Sequence, residues 1–254
     1  MWLAGERLGV IVGLRIPASD LALAFIPMTA ALALTARKGG VGASAALLRR
    51  AFAVTAIRGG RWLAATLVLA PLLYLATFVV MRLAGGGPPP HIPVLRLILM
   101  FGLFLALAAG EEVGWTGYAL EPLQARWGPL AASLILAVPW WLGHLPSMRA
   151  IGATWADIAW WALAAPALRI LFTWLYNGSG GALSSAIVFH ALLNLCRIAT
   201  YPAAGPHYDP RYQAVGSLAA AFAAILVVAL GGARRAGARR SAAGQGDGAG
   251  GRAP

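Results

Sequence analysis

The sequence has few charged residues, few acids and a single cysteine. Of its 254 residues 11% are charged and 60% are hydrophobic, whereas a typical soluble domain is about 25% charged. Because Cys196 is alone, a disulfide-stabilised scaffold is excluded. The high apolar content excludes intrinsic disorder, and a water-soluble core of this composition would leave too little polar surface to cover it. The lipid bilayer is therefore expected to surround most of the chain.

Seven long apolar stretches are present in the sequence. A helix of about 20 residues crosses the roughly 30 Å hydrocarbon core of a bilayer. The stretches are residues 17–36, 62–81, 97–118, 130–145, 155–175, 182–199 and 215–230. They predict an all-α protein, a polytopic transmembrane helical bundle of about seven spans, with the membrane domain at residues 1–232. Residues 233–254 are mostly Gly, Ala and Arg, which predicts a disordered cytoplasmic basic tail.

Basic residues are concentrated in two segments, and their positions indicate the orientation of the chain. Residues 37–61 contain six Lys or Arg and no acid, and residues 233–254 contain five Arg and one Asp. Short loops rich in Lys and Arg stay on the cytoplasmic side, and the six spans between the two segments agree with that assignment for both. The net charge of +12 is thus interpreted as a topology signal. It predicts a multi-pass protein of the cell membrane that contacts lipid, without a nucleic-acid partner.

Two adjacent glutamates interrupt the third apolar stretch, at Glu111 and Glu112. A charge at mid-membrane costs about 2.5–3.5 kcal/mol on insertion scales, so such residues suggest a function. Neighbouring helical residues differ by about 100° in direction, so we expect one carboxylate to do chemistry and the other to hold a neighbouring helix or polar side chain. Gly110 and Gly114 predict a close helix approach there. The alternative is a helix end with two solvated glutamates.

Two further polar clusters lie in later spans. His144 follows a long apolar run and is either a functional group or a packed, hydrogen-bonded histidine, and the nearby tryptophans are compatible with an interfacial belt. His190 and Asn194 are four residues apart, about 6 Å apart on one helical face. This pair suits metal ligation or stabilisation of an oxyanion, or else hydrogen bonding between helices. Together the clusters could activate a water and polarise a carbonyl.

At these residues the chain resembles the CPBP family of intramembrane proteases, also called the type II CAAX prenyl endopeptidase or Abi family. The family pattern has two glutamates with an arginine four residues after the second, then aromatic-x-x-x-His, then His-x-x-x-Asn. The matching residues, in order, are Glu111-Glu112, Trp140 to His144, and His190 to Asn194. The similarity is strongest over residues 94–200, which form the motif core of the predicted membrane domain.

The resemblance implies an endopeptidase that cleaves a peptide or protein substrate at or within the membrane. In one version Glu111 and His144 activate water. His190 and Asn194 then stabilise the tetrahedral oxyanion, and Glu112 has a supporting role. In a zinc-dependent version Glu111, His144 and His190 hold Zn²⁺, although the sequence has neither His-Glu-x-x-His nor Cys-x-x-Cys. Both versions require a polar cavity between the third, fourth and sixth spans.

Thr116 stands where the family pattern has arginine. An arginine there would neutralise or orient the second glutamate, whereas threonine offers an uncharged hydroxyl. The resemblance therefore leaves open a non-catalytic membrane protein of the same fold, such as an immunity or scaffold protein. A small transporter with a Glu and His proton relay is a further alternative, but the sequence lacks the paired broken helices typical of transporters.

Overall fold

A computed structural model describes residues 22–89, 91–200 and 209–247 of the chain. Every regular element within these ranges is helical, so the prediction of an all-α protein is confirmed. The elements are α1 (Ile26–Phe52), a 3₁₀ turn (Val54–Ala56), α2 (Gly60–Leu83), α3 (Val94–Gly114), a π-helical turn (Trp115–Ala119), α4 (Leu120–Ala150), α5 (Trp155–Gly178), α6 (Leu183–Thr200) and α7 (Arg211–Asp247).

Five segments of the described chain are long and apolar enough to cross a membrane. They are residues 60–83, 94–150, 155–178, 183–200 and 211–231. The second has 57 residues, which as a straight helix would measure roughly 85 Å, almost three times the hydrocarbon core. Gly128, with a φ of 80°, breaks this segment, so it holds the third and fourth predicted spans. The last six predicted spans therefore all correspond to helices.

The first predicted span, residues 17–36, is not matched. Its first five residues lie outside the described ranges, and α1 is not among the segments that could cross a membrane by length and composition. Gly40, with a φ of 75°, interrupts α1. The helical pieces before and after it, residues 26–39 and 41–52, are both shorter than the roughly 20 residues that a span needs. The basic residues near this break also oppose burial in lipid.

The last helix continues beyond its apolar part into the segment predicted to be a disordered tail. The backbone of α7 is helical through Asp247, and residues 248–254 lie outside the described part of the chain. Alanine and arginine, which are frequent here, are strong helix formers. A helix also satisfies its own backbone hydrogen bonds without a packing partner. Residues 233–247, which were predicted to be disordered, are therefore helical in the structure.

The bundle is built around α5 and α6. Leu171 and Phe172 of α5 pack with Phe189 of α6 in the main buried cluster. Helix α5 contacts α4 and α7, whereas α6 contacts α2 and α3. Outward-facing leucines of α2, such as Leu67 and Leu72, are about half exposed, and such an apolar outer face suits contact with lipid. The arrangement brings α3, α4, α5 and α6 together where the polar residues of the sequence lie.

Two glycines let the chain at the start of α1 approach α3 closely. A Cβ atom added at Gly110 would lie 2.6 Å from the carbonyl oxygen of Ala24, and one added at Gly114 would lie 2.4 Å from the Cβ of Pro27. Both distances are far shorter than ordinary contacts, so neither position has room for a side chain. The close approach predicted for this pair of glycines is confirmed.

This packing predicts that Gly114→Ala destabilises the protein by about 1–3 kcal/mol, because its Cβ would overlap Pro27. Thermal unfolding in detergent measures the effect. Gly102→Ala is the matched control, since Gly102 is also in α3 and an added Cβ there meets nothing within 4 Å. The control should be as stable as the wild type or slightly more stable, because alanine is the better helix former. Equal losses in both variants would contradict the close packing.

Candidate active site

The glutamate pair lies just before α3 passes into the π-helical turn. Glu111 is half-buried, whereas Glu112 has no exposed surface. The carboxylates therefore have different surroundings, as the 100° between adjacent helical residues predicts. The burial of Glu112 rules out two solvated glutamates. Single π-helical turns often occur at functional sites because the extra residue redirects the helix that follows, and here the turn buries Thr116 beside Glu112.

Glu112 forms a fully buried ion pair with Arg169 of α5. The Nη1 atom of Arg169 lies 2.8 Å from Oε1 and 3.1 Å from Oε2 of Glu112. The Nη2 atom donates to the hydroxyl of Thr116 at 2.9 Å, and this hydroxyl donates to Glu112. A buried carboxylate requires such partners because desolvation without them is very costly. Glu112 is thus the carboxylate that joins neighbouring helices.

The sequence motifs do not single out Arg169. It lies inside the predicted span 155–175, and a charge in an apolar span is itself a signal of a special role. That signal could have found the residue. Its partner could not be read from the sequence, because Glu112 lies 57 positions away on another helix. The pairing depends on how α3 and α5 pack together.

Glu112 also holds His190 of α6. The Nδ1 atom of His190 lies 3.0 Å from Oε1 of Glu112, and His190 is only 4% exposed. Because an ionised carboxylate can only accept, Nδ1 must carry the hydrogen, which leaves Nε2 for another partner. A hydrogen bond of this kind sets the tautomer and orientation of an imidazole. His190 is therefore oriented by the buried pair of Glu112 and Arg169.

Trp140 of α4 connects the other glutamate with both histidines. Its Nε1 atom donates to Oε2 of Glu111 at 2.6 Å. Its ring centroid lies 5.2 Å from that of His144 and 5.8 Å from that of His190, with an edge-on geometry in both cases. Trp140 is 3% exposed, so an interfacial aromatic belt is the wrong interpretation of this tryptophan. The structure thus brings Glu111, His144 and His190 around one indole.

His144 is oriented by its own helix. Its Nδ1 atom lies 2.8 Å from the carbonyl oxygen of Trp140, one turn earlier. A carbonyl oxygen can only accept, so Nδ1 donates and Nε2 of the neutral ring is an acceptor. The ring also packs 5.1 Å from that of Trp161. An imidazole with an available Nε2 suits proton transfer or metal ligation.

A cavity of about 100 Å³ reaches both histidines from within the bundle. Its polar wall includes His144, His190, Asn194, Arg197 and Gln213. At roughly 30 Å³ for each water, the volume suits about three molecules. The fourth and sixth predicted spans both contribute residues to the cavity wall, as predicted. The two glutamates do not belong to its wall, so the predicted contribution of the third span is not matched.

Asn194 lies one turn after His190 on the cavity wall and is half-buried. The i,i+4 spacing places both side chains on one face of α6. Both therefore line the same space, which is what a joint contact with one ligand atom would need.

The three residues predicted to hold zinc do not form a preformed metal site. In the described ranges, no three His, Cys, Asp or Glu side chains are grouped closely enough to bind a metal ion. Oε2 of Glu111 accepts the hydrogen bond of Trp140, so one oxygen of this carboxylate already has a partner. As the described residues are arranged, they do not fit the zinc-dependent version.

Two comparisons with known proteins cover this part of the chain. Residues 93–196 match the family described as type II CAAX prenyl endopeptidase, Rce1-like. The CAAX prenyl protease 2 of Methanococcus maripaludis is 31% identical over 112 residues. That match covers 41% of this chain and 39% of the relative, so the chain matches about two fifths of the relative's length. Both glutamates, both histidines, Trp140, Arg169 and Asn194 lie within the matched range. The resemblance is thus confirmed: residues 93–196 are similar to the type II CAAX prenyl endopeptidase family.

Proposed function

We propose that this multi-pass membrane protein is an intramembrane endopeptidase of the cell membrane that acts on a peptide or protein substrate. The observation that carries the proposal is the contact of Trp140 with Glu111, His144 and His190. A carboxylate and two imidazoles from three helices meet inside an apolar bundle. Such groups are expensive in lipid and are tolerated where they serve a purpose. The similarity to the Methanococcus CAAX prenyl protease supports peptide hydrolysis as that purpose.

In the proposed reaction Glu111 and His144 activate a water molecule. The water gives a proton to one of these groups as its oxygen attacks the carbonyl carbon of the substrate. The carbonyl electron pair moves onto oxygen and forms the tetrahedral oxyanion. Collapse of this intermediate breaks the C–N bond, and the leaving amine takes up the proton. Trp140 holds Glu111 in place through the hydrogen bond to Oε2, which leaves Oε1 for the water.

The oxyanion is stabilised by His190 and Asn194 in this proposal. Asn194 can donate from its side-chain amide, whereas His190 can donate from Nε2 only when both ring nitrogens carry hydrogen, because Nδ1 already faces Glu112. A protonated His190 also balances the charges of the site. The two negative charges of Glu111 and Glu112 are then offset by the positive charges of Arg169 and His190, as a region of low dielectric requires.

The role of His144 is tested by His144→Ala in a cleavage screen with membrane-segment peptides, both prenylated and unprenylated. We expect cleavage to fall by about 10²–10⁴-fold, the usual contribution of a general acid or base. Mass spectrometry of the products provides the rates. The matched control is His91→Ala, because His91 is exposed ahead of α3. A His144→Ala protein that cleaves as fast as this control would refute the assignment.

The zinc-dependent alternative has a separate test. Metal analysis of the purified protein, together with the response of cleavage to a chelator, distinguishes a metal-bound water from a water activated by side chains alone.

A further inference from the structure

Arg169 is a buried charge that the proposed chemistry does not use. Its guanidinium binds both oxygens of Glu112 and the hydroxyl of Thr116. The guanidinium carbon also lies 4.6 Å from the ring centroid of Phe172 and 5.4 Å from that of Trp140. Its contacts therefore reach both halves of the site: the carboxylate that holds His190 and the indole that holds Glu111.

The geometry of this pair exceeds what charge neutralisation alone requires. A contact from one nitrogen to one oxygen would balance the charge, whereas Nη1 of Arg169 contacts both carboxylate oxygens. Nη2 also binds the hydroxyl of Thr116, which donates to Glu112, so the carboxylate has little freedom to rotate. Oε1 of Glu112 is in turn the atom that meets Nδ1 of His190. The guanidinium of Arg169 therefore affects the orientation of the His190 imidazole through Oε1 of Glu112, which both groups contact.

We propose that Arg169 is a positioning residue, which holds Glu112 so that His190 keeps its Nδ1 hydrogen and one orientation at the cavity. The consequence for cleavage rests on the proposed function. The consequence for the imidazole ring does not, because it follows from the contacts of Glu112 alone.

Because residue 116 is a threonine, the cation that pairs with Glu112 comes from α5 and not from the same helix. Residue 116 is four positions after Glu112, a spacing from which an arginine side chain reaches a glutamate on the same helix. The hydroxyl of Thr116 instead contacts both Glu112 and Arg169. The positive charge that an arginine at 116 would supply is therefore provided by Arg169. Thr116 leaves no buried carboxylate unpaired, so this departure from the family pattern is compatible with an intact site.

The proposal is tested by exchanging the two side chains. Arg169→Thr alone should lower kcat for peptide cleavage by about 10–100-fold, as loss of an orienting partner typically does, with a smaller change in KM. The double variant Thr116→Arg/Arg169→Thr keeps the same atoms in the core and restores a cation within reach of Glu112. It should recover most of the lost rate, which makes the two substitutions strongly non-additive. Thr116→Arg alone places two cations at one carboxylate and should be impaired.

Nitrogen NMR of histidine-labelled protein provides the second readout. The chain has four histidines, and the spectrum of His190→Gln identifies the His190 signals. We expect Nδ1 of His190 to carry hydrogen throughout in the wild type and in the exchange variant, and a mixture of ring states in Arg169→Thr. If Arg169→Thr does not fold, Arg169→Gln takes its place, because glutamine keeps a donor without the charge.

The outcomes separate the two proposals. If the wild type cleaves no peptide in the screen, the proposed function fails, and the NMR spectra still decide the role of Arg169. A folded Arg169→Thr or Arg169→Gln protein with the wild-type ring spectrum would overturn the positioning role. An exchange variant that folds but resembles Arg169→Thr in both rate and spectrum would overturn it as well.

Discussion

Glu111→Gln is expected to abolish peptide cleavage, with a loss of about 10²–10⁴-fold or more, while the protein keeps its fold. The amide has the size of the carboxylate, and its oxygen can still accept the hydrogen bond of Trp140. The amide, however, cannot take a proton from water, as the carboxylate can. The rate of product formation and the thermal unfolding temperature, measured on the same preparation, should therefore respond differently: the first should fall and the second should hardly change.

Glu121→Gln is the matched control for this prediction. Glu121 is in α4, ten positions after Glu111, and contacts Arg50 at 3.0 Å and the hydroxyl of Tyr176. Its side chain is 52% exposed, so it belongs to a surface cluster apart from the histidines. The control variant should cleave at nearly the wild-type rate. Similar rates for the two glutamine variants would show that Glu111 does not act in the chemistry.

Glu112→Gln is expected to lower the free energy of unfolding by about 3–5 kcal/mol, because it leaves the buried charge of Arg169 without its counter-ion. Glutamine can still accept one hydrogen bond from Arg169, but it no longer balances the positive charge. Thermal unfolding in detergent measures the loss. Cleavage should fall too, because His190 loses its orienting carboxylate.

A double variant separates the two effects of Glu112. In Glu112→Met/Arg169→Met both charges are absent, and replacing a buried ion pair by apolar residues of similar size is often neutral or stabilising. We expect stability to recover while cleavage stays low. If Glu112→Gln unfolds at the wild-type temperature, the ion pair contributes little to the bundle, and the structural role assigned to Glu112 is wrong.

The two adjacent glutamates illustrate how neighbouring residues of one helix acquire different surroundings. Their side chains point about 100° apart, so Glu111 meets Trp140 of α4 while Glu112 meets Arg169 of α5 and His190 of α6. One is half-buried beside the histidines and the other is enclosed. The sequence predicted that the roles would differ. Which side chains each glutamate contacts depends on the helices that lie on each side of α3.

Composition and hydrophobic pattern were sufficient to predict an all-α membrane bundle and helices at its last six predicted spans, because lipid requires long apolar helices whatever their packing. The pattern was less informative where basic residues and glycine interrupt α1, since hydropathy does not show where a helix breaks. The motifs also singled out polar residues that the structure places around Trp140 and the cavity. Glutamate, histidine and asparagine within apolar stretches can be recognised from the sequence, however the helices pack.

Tertiary structure alone decided how these residues work together. Trp140 is one of ten tryptophans in the sequence, and only the packing of α3, α4 and α6 makes it the contact between Glu111 and the histidines. Arg169 likewise acquires its partner only because the fold brings its guanidinium to Glu112 of α3. Hydropathy and short motifs depend on neighbours along the chain, whereas a hydrogen bond or ion pair depends on distance in space. A contact between residues 57 positions apart therefore exists only once the helices have packed.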